Sequence, residues 1–241
     1  MMPMFRKTYL LAGMALATGT AAIAYAQGAR TAAQPLQVVE LFQSQGCSSC
    51  PPANANVMAL ARRDNVLALS WQVTYWDYLG WKDSFAQPAF TERQRRYAQT
   101  LRHGTVWTPQ VVINGKGDVV GSNAQELGRA LTRWNRDAGA IEASLAGNGV
   151  TVSGGQTNAS VYLVRYDPRV VQVPIRAGEN GGRTLPHVNI VREYVALGRY
   201  SGGTRSYAFP AAKTAGLRNA VLVQSGSNGA ILAAVHNRRV Q

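Results

Sequence analysis

Cys47 and Cys50 are the only cysteines in the 241-residue chain, and they lie three positions apart in the run QVVELFQSQGCSSCPP. Such a pair can make and break a disulfide, because a thiolate attacks a disulfide sulfur and a neighbouring thiol resolves the mixed product. The chemistry needs an attacking thiol whose pKa is lowered and a partner that is shielded. A helix N-terminus supplies both, since its unpaired N–H groups stabilise a thiolate. Cys47 is therefore expected at a helix tip as the nucleophile, with Cys50 one turn inside as the resolving thiol. A structural disulfide and a metal site compete with this role. As a structural staple so short a loop contributes only ~2 kcal/mol. As a zinc site the pair supplies half a tetrahedral shell, and no second pair is present to complete it.

The elements around the pair must hold it. Residues 36–42 read as a strand apolar on both faces, suited to a central position. Pro51 and Pro52 fit a helical first turn, and Val57, Met58, Leu60 and Ala61 give residues 54–63 one apolar face. Residues 66–70 form a second short strand, which makes a parallel strand–helix–strand unit. A CxxC between a strand and a helix start is how thioredoxin-like domains present a redox thiol. Glu40 interrupts the first strand; it is expected either as a buried proton acceptor for Cys50 or as a residue at a wet strand edge.

Further along, Thr91 and Gln94 have the spacing of a capping box opening a helix over 91–103, with Arg93, Arg95, Arg96 and Arg102 on its solvated face. Thr108–Pro109 is expected to be a cis bond facing the dithiol, leaving the Thr108 backbone to dock a substrate peptide. A trans proline opening an edge strand is the alternative. Asn114-Gly115-Lys116-Gly117 is a hairpin turn, and Asn123 with Glu126 caps a last helix reaching about residue 137. The order βαβ, α, ββα predicts an α/β thioredoxin-like N-terminal domain over 36–139.

Trp71, Tyr75, Trp76, Tyr78 and Trp81 crowd the segment WQVTYWDYLGWKD. Trp76 and Trp81, with Trp107, are candidates for an apolar substrate-binding wall; the plainer reading makes the aromatics core fillers. From residue 140 short alternating runs separated by glycines predict a small antiparallel β-sandwich domain over 140–241. Within it the loop GENGGRTLPH, 178–187, offers Glu179, Arg183 and His187 as further substrate-binding groups reaching toward the dithiol. His187 could stabilise the Cys47 thiolate or complete a metal site. The bland alternative is a glycine-rich connection with a Glu179–Arg183 ion pair. His103 and His236 carry no motif and read as structural.

Residues 1–26 have the form of a signal peptide: Arg6 and Lys7, then an apolar or small run, then Ala24-Tyr25-Ala26. Residues 27–35 form a lead-in linker. The protein is thus expected in the periplasm or secreted, where a CxxC can cycle, and at a membrane only through an uncleaved leader. The net charge of +13 comes mostly from 21 arginines among 25 basic residues. No basic run interleaved with aromatics accompanies it, which argues against nucleic acid as a partner.

Four stretches in order, ELFQSQGCSSCPPA, VTYWDYLGWKDSFA, TPQVVING and GENGGRT, resemble the secreted bacterial family known as domain of unknown function number 1223. The resemblance spans the mature chain and implies a thioredoxin-like N-terminal domain, with Cys47, Cys50 and Pro109 on the family's dithiol and proline positions. It supplies no reaction. Relatives commonly read FHVDYWD where this chain reads WQVTYWD, so Gln72 stands in place of a histidine.

The function expected is that of an extracytoplasmic thiol–disulfide oxidoreductase acting on protein or small-molecule thiols and disulfides without a cofactor. Cys47, Cys50, Thr108, Pro109 and Glu40 are its catalytic candidates. Two alternatives are a copper-binding or metal-delivery protein using Cys47, Cys50 and a histidine such as His187, and a non-catalytic secreted binding module.

Overall fold

A strand buried on both faces nucleates the fold. In β1 (Gln37–Gln43) every residue after Gln37 is buried. The computed structural model describes Met1 and residues 35–237, so residues 2–26 of the expected leader and 27–34 of the lead-in lie outside the described residues. Helix α1 (Cys50–Leu60) follows, with prolines in its first turn, and β2 (Val66–Gln72) runs parallel to β1 in the register Val39↔Ala68 and Leu41↔Ser70.

A 3-10 turn at Asp77–Leu79 leads to α2 (Pro88–Thr100). This helix starts at Pro88, three residues before the expected capping box. Pro88 fits the first turn, where no N–H is required, and Thr91 sits inside the helix with its hydroxyl accepting from the Thr74 N–H at 3.0 Å. Strands β3 (Gln110–Ile113) and β4 (Gly117–Val119) form the hairpin read from Asn114-Gly115. Both turn residues have positive φ, 50° and 63°. A Cβ on Gly115 would stand 2.3 Å from the Gly229 carbonyl oxygen, so glycine is required there. Helix α3 (Ala124–Arg133) is capped by Asn123, whose side chain accepts from the N–H groups of Gln125 and Glu126.

The remaining strands are β5 (Ile141–Leu145), β6 (Gly149–Gly154), β7 (Ala159–Asp167), β8 (Val171–Pro174), β9 (Thr184–His187), β10 (Ile190–Tyr200), β11 (Gly203–Ala208), β12 (Arg218–Ser225) and β13 (Ile231–His236). Among the described residues no helix is long and apolar enough to cross a membrane.

The pairing of these strands overturns the expected fold class. The chain is not a thioredoxin-like domain followed by a separate β-sandwich. Strands from both halves join in one mixed eight-stranded sheet, in the order β13-β12-β7-β10-β2-β1-β3-β4, accompanied among the described residues by three helices, a three-stranded sheet β11-β6-β5 and the hairpin β8-β9. The junction is the outer edge of β2. There Ile190 pairs with Ser70, the Ser70 N–H donates to the Asn189 carbonyl, and the Asn189 amide donates to the Ala68 carbonyl. Left uncovered, the edge of so apolar a strand would present unpaired backbone groups.

Packing follows the same logic. One core gathers Val38, Phe42, Leu69, Trp71, Phe90 and Tyr97 with Val164, Tyr166, Val191 and Leu222. It therefore takes side chains from both halves of the chain. On the opposite face, α1 and α3 cover Val39, Leu41 and Ala68 through Ala53, Val57, Leu127 and Leu131. Beyond them the three-stranded sheet covers Val161, Leu163 and Val221 through Ile141, Val150 and Val152.

Arg93 explains why the sequence suggested two bodies. Read as part of a solvated face, it is buried, with its guanidinium forked on Glu40 at 2.8 and 2.9 Å. Its remaining N–H groups reach Tyr194, Gln224 and Asn228 of the second half. Burial works to lower its pKa, but the Glu40 carboxylate and the Tyr194 and Tyr97 phenols hold it well above the ordinary value. The face of α2 that looked polar is thus buried by the second half of the chain.

Candidate active site

Cys47 and Cys50 are joined in a disulfide. The helix begins at Cys50 itself, so Cys50 is its first residue and not one turn inside, while Cys47 lies in the turn before it. The Cys50 N–H donates to the Cys47 carbonyl at 3.2 Å, which folds the four residues into a tight loop. Both cysteines are buried, at 0% and 2% exposure, whereas Ser48 and Ser49 between them are exposed. The Ser49 hydroxyl stands 3.3 Å from the Cys47 sulfur and can donate to it.

Polar groups from the β8–β9 connection hold this loop. Glu179 accepts from both the N–H and the hydroxyl of Ser48, at 2.8 and 2.7 Å. Those two bonds hold its carboxyl below the usual pKa range. Asn180, fully buried, donates to the carbonyls of Gln45 and Cys47 at 2.9 and 2.8 Å. Arg183 donates to the Asn180 side-chain oxygen at 2.7 Å, not to Glu179. Gly178, at φ 73°, brings the backbone close: a Cβ there would lie 3.7 Å from the Gly46 Cα.

His187 lies behind the loop. It is buried, 3.4 Å from the Gln43 amide, which also donates to Asn54 at 3.0 Å and Ser70 at 2.6 Å. Desolvation pushes its pKa down to about 4, so the imidazole is neutral. Among the described residues its Nε2 has no hydrogen-bond partner. Gln72 donates to the same Ser70 hydroxyl at 3.1 Å. A buried polar cluster of Gln43, Asn54, Ser70, Gln72 and His187 therefore underlies the start of α1.

The aromatic segment divides its work. Trp71 is core. The Trp81 indole donates to Gln45 at 2.9 Å, and the Gln45 N–H donates to Asp83 at 2.8 Å, so this segment fixes the residue two before Cys47. Burial raises the Asp83 pKa to about 6. The Trp76 indole donates to the Thr108 hydroxyl at 2.6 Å, and the Thr108–Pro109 bond is cis. The Trp107 ring meets His103 edge-on at 4.9 Å, and its carbonyl accepts from Gln94.

Glu40 is not brought to the disulfide. In β1 it shares a face with Val38 and Phe42, which pack on α2, while α1 covers the alternate residues Val39 and Leu41. Its carboxylate is taken by Arg93 and by the Tyr97 hydroxyl. Nor do Cys47, Cys50 and His187 form a ligand set: among the described residues no group of three or more His, Cys, Asp or Glu side chains could hold a metal. Asn180 and Gln45, which lie within GENGGRT and ELFQSQGCSSCPPA but are not read from the sequence as site residues, hold the loop directly. The signal for Asn180 was present, as a lone amide between Glu179 and two glycines.

No curated protein matches this chain. Among solved structures, the chain is similar to a crystal structure of an Agrobacterium tumefaciens protein from the Northeast Structural Genomics Consortium. The identity is 31%, the TM-score is 0.68, and the match covers 86% of this chain and 98% of that one. It is also similar in fold to HBP35 of Porphyromonas gingivalis, at 14% identity and a TM-score of 0.60, over 85% of this chain and 75% of that one. A family described as "Protein of unknown function (DUF1223)" matches residues 38–224, and the chain belongs to that family.

Proposed function

We propose that the protein is an extracytoplasmic thiol–disulfide oxidoreductase whose working group is the Cys47–Cys50 pair. The observation that carries the reading is the pair itself. The chain's two cysteines close a four-residue loop at the start of α1, where a staple has little to hold.

The exchange balances without a cofactor. A thiolate of a substrate dithiol attacks one sulfur of the pair, the S–S bond breaks, and the other sulfur leaves as a thiolate. The second substrate thiolate then attacks the mixed disulfide at the substrate sulfur. Substrate leaves oxidised, two electrons stay on Cys47 and Cys50, and the two protons from the substrate thiols divide between these sulfurs and solvent. The reverse sequence reduces a substrate disulfide. Cys47 is the sulfur suited to attack and leave, because the Ser49 hydroxyl, 3.3 Å from that sulfur in the disulfide, is placed to donate to a thiolate there.

Incubation with glutathione buffers of graded ratio, followed by thiol trapping and mass measurement, tests the reading. A single reversible two-electron transition is expected. A pair that does not exchange with glutathione in the folded protein rejects it.

A further inference from the structure

The tip of the β8–β9 hairpin is fastened to the disulfide loop, while strand β9 is tied to α1 separately through the Asn54 amide on the Pro186 carbonyl at 2.6 Å. Glu179 accepts from Ser48, and Asn180 donates to the Cys47 carbonyl. The tip is flanked by Gly178 and Gly182, both at positive φ, and its exposed residues include Glu179, Gly181, Gly182 and Arg183. The hairpin's own apolar contacts, Val173, Ile175 and Leu185 against Trp81 and Phe85, lie on its strands and close by. The tip can therefore leave the loop while the strands stay packed, and glycines next to it suit the backbone change.

The fully ionised Glu179 sits on the N–H between the two cysteines, a donor that a Cys47 thiolate at the head of α1 would also attract. In the disulfide neither sulfur is charged, and nothing opposes the carboxylate. In the reduced pair a thiolate on Cys47 places a second negative charge beside it. The two anions repel and draw on the same donors.

We infer that residues 178–183 form a redox-responsive cover, seated on the Cys47–Cys50 loop when the pair is oxidised and displaced when Cys47 carries a negative charge. The inference rests on the exchange chemistry proposed above and adds what controls access to it. Two electrons from a thiol reductant break the S–S bond, the new anion loosens the cover, and the Ser48 N–H and the Cys47 carbonyl that the tip held are released. Glu179 and Asn180 are positioning residues in this scheme.

Two measurements test it. Amide hydrogen exchange of residues 176–183, read at pH 8 in the oxidised and the reduced full-length protein, is expected to be at least about tenfold faster in the reduced form, as local opening requires. In glutathione buffers, Glu179→Gln is expected to move the equilibrium toward the dithiol by roughly three- to tenfold, because the charge opposing the thiolate is gone. Equal exchange in the two redox states, or an unshifted equilibrium in Glu179→Gln, overturns the cover. If native protein does not exchange with glutathione, the oxidoreductase reading falls separately. The cover is then still decided by comparing oxidised protein with protein reduced in denaturant and refolded.

Discussion

Arg93 is forked on the Glu40 carboxylate, Nε to Oε1 at 2.8 Å and Nη2 to Oε2 at 2.9 Å, and neither side chain reaches solvent. A buried pair of this kind is costly to break, because removing one partner strands the other charge. Arg93→Ala should lose about 3–5 kcal/mol of stability, read from urea unfolding midpoints. Replacing both partners, as Glu40→Met with Arg93→Met, should recover only part of the loss. Gln224 and Asn228 would still lose the N–H groups that Arg93 donates to them at 3.3 and 3.2 Å. Full recovery in the double variant would mean that Glu40 is the only partner of Arg93 that matters.

That pair also marks where sequence reading stops. β1 and β2 were legible because both of their faces are apolar, and the Asn123 cap and the Asn114-Gly115 turn because their physics is local. Arg93 looks like any helix-surface arginine until Gln224 and Asn228, more than 130 positions later, close over it. The attachment of β10 to β2 through Asn189 leaves no periodic trace either, and so one sheet was read as two folds. At the site the cysteines announced themselves by spacing. Asn180 did not, because the carbonyls it serves lie more than 130 residues upstream.

Acid stability should expose two opposed groups. His187, with its pKa depressed to about 4, contributes stability that is present above pH 6.5 and lost as pH falls toward 4, because only the unfolded chain takes up the proton in that window. Asp83, raised to about 6, acts in the opposite sense: its contribution is present below about pH 4 and lost as pH rises through 6. Each amounts to about 3 kcal/mol at most. The wild type should therefore change little between pH 4.5 and 6. Asp83→Asn should become steeply less stable toward pH 4.5 relative to its own value at pH 7, and His187→Gln should become more stable. Parallel pH profiles for the three proteins would contradict this assignment.

Asn114 joins three parts of the chain. Its side-chain oxygen accepts from the Val38 N–H at 2.7 Å, and its amide donates to Gln37 at 2.7 Å and to the Trp134 carbonyl at 2.8 Å. Its φ of 50° adds a backbone requirement. Asn114→Gly keeps the turn conformation and loses the bonds, which should cost about 2–3 kcal/mol. Asn114→Ala loses both and should cost about 1–2 kcal/mol more, since an L side chain is disfavoured in the left-handed region. Equal unfolding midpoints for the two variants would show that the turn conformation contributes nothing.

If the Cys47–Cys50 pair serves exchange, little of the fold should depend on the bond, and the loop size gives the scale: cross-linking residues 47 and 50 removes only ~2 kcal/mol of unfolded-chain entropy. The loop also has its own restraints, from the Cys50 N–H on the Cys47 carbonyl and from Asn180 on that same carbonyl. A Cys47→Ala, Cys50→Ala double variant should therefore fold, unfold cooperatively in urea, and lie within about 2–3 kcal/mol of the oxidised wild type, counting the small loss of buried sulfur packing. A loss beyond about 5 kcal/mol, or failure to fold at 37 °C, would identify the bond as a structural staple and remove the ground on which the exchange reading stands.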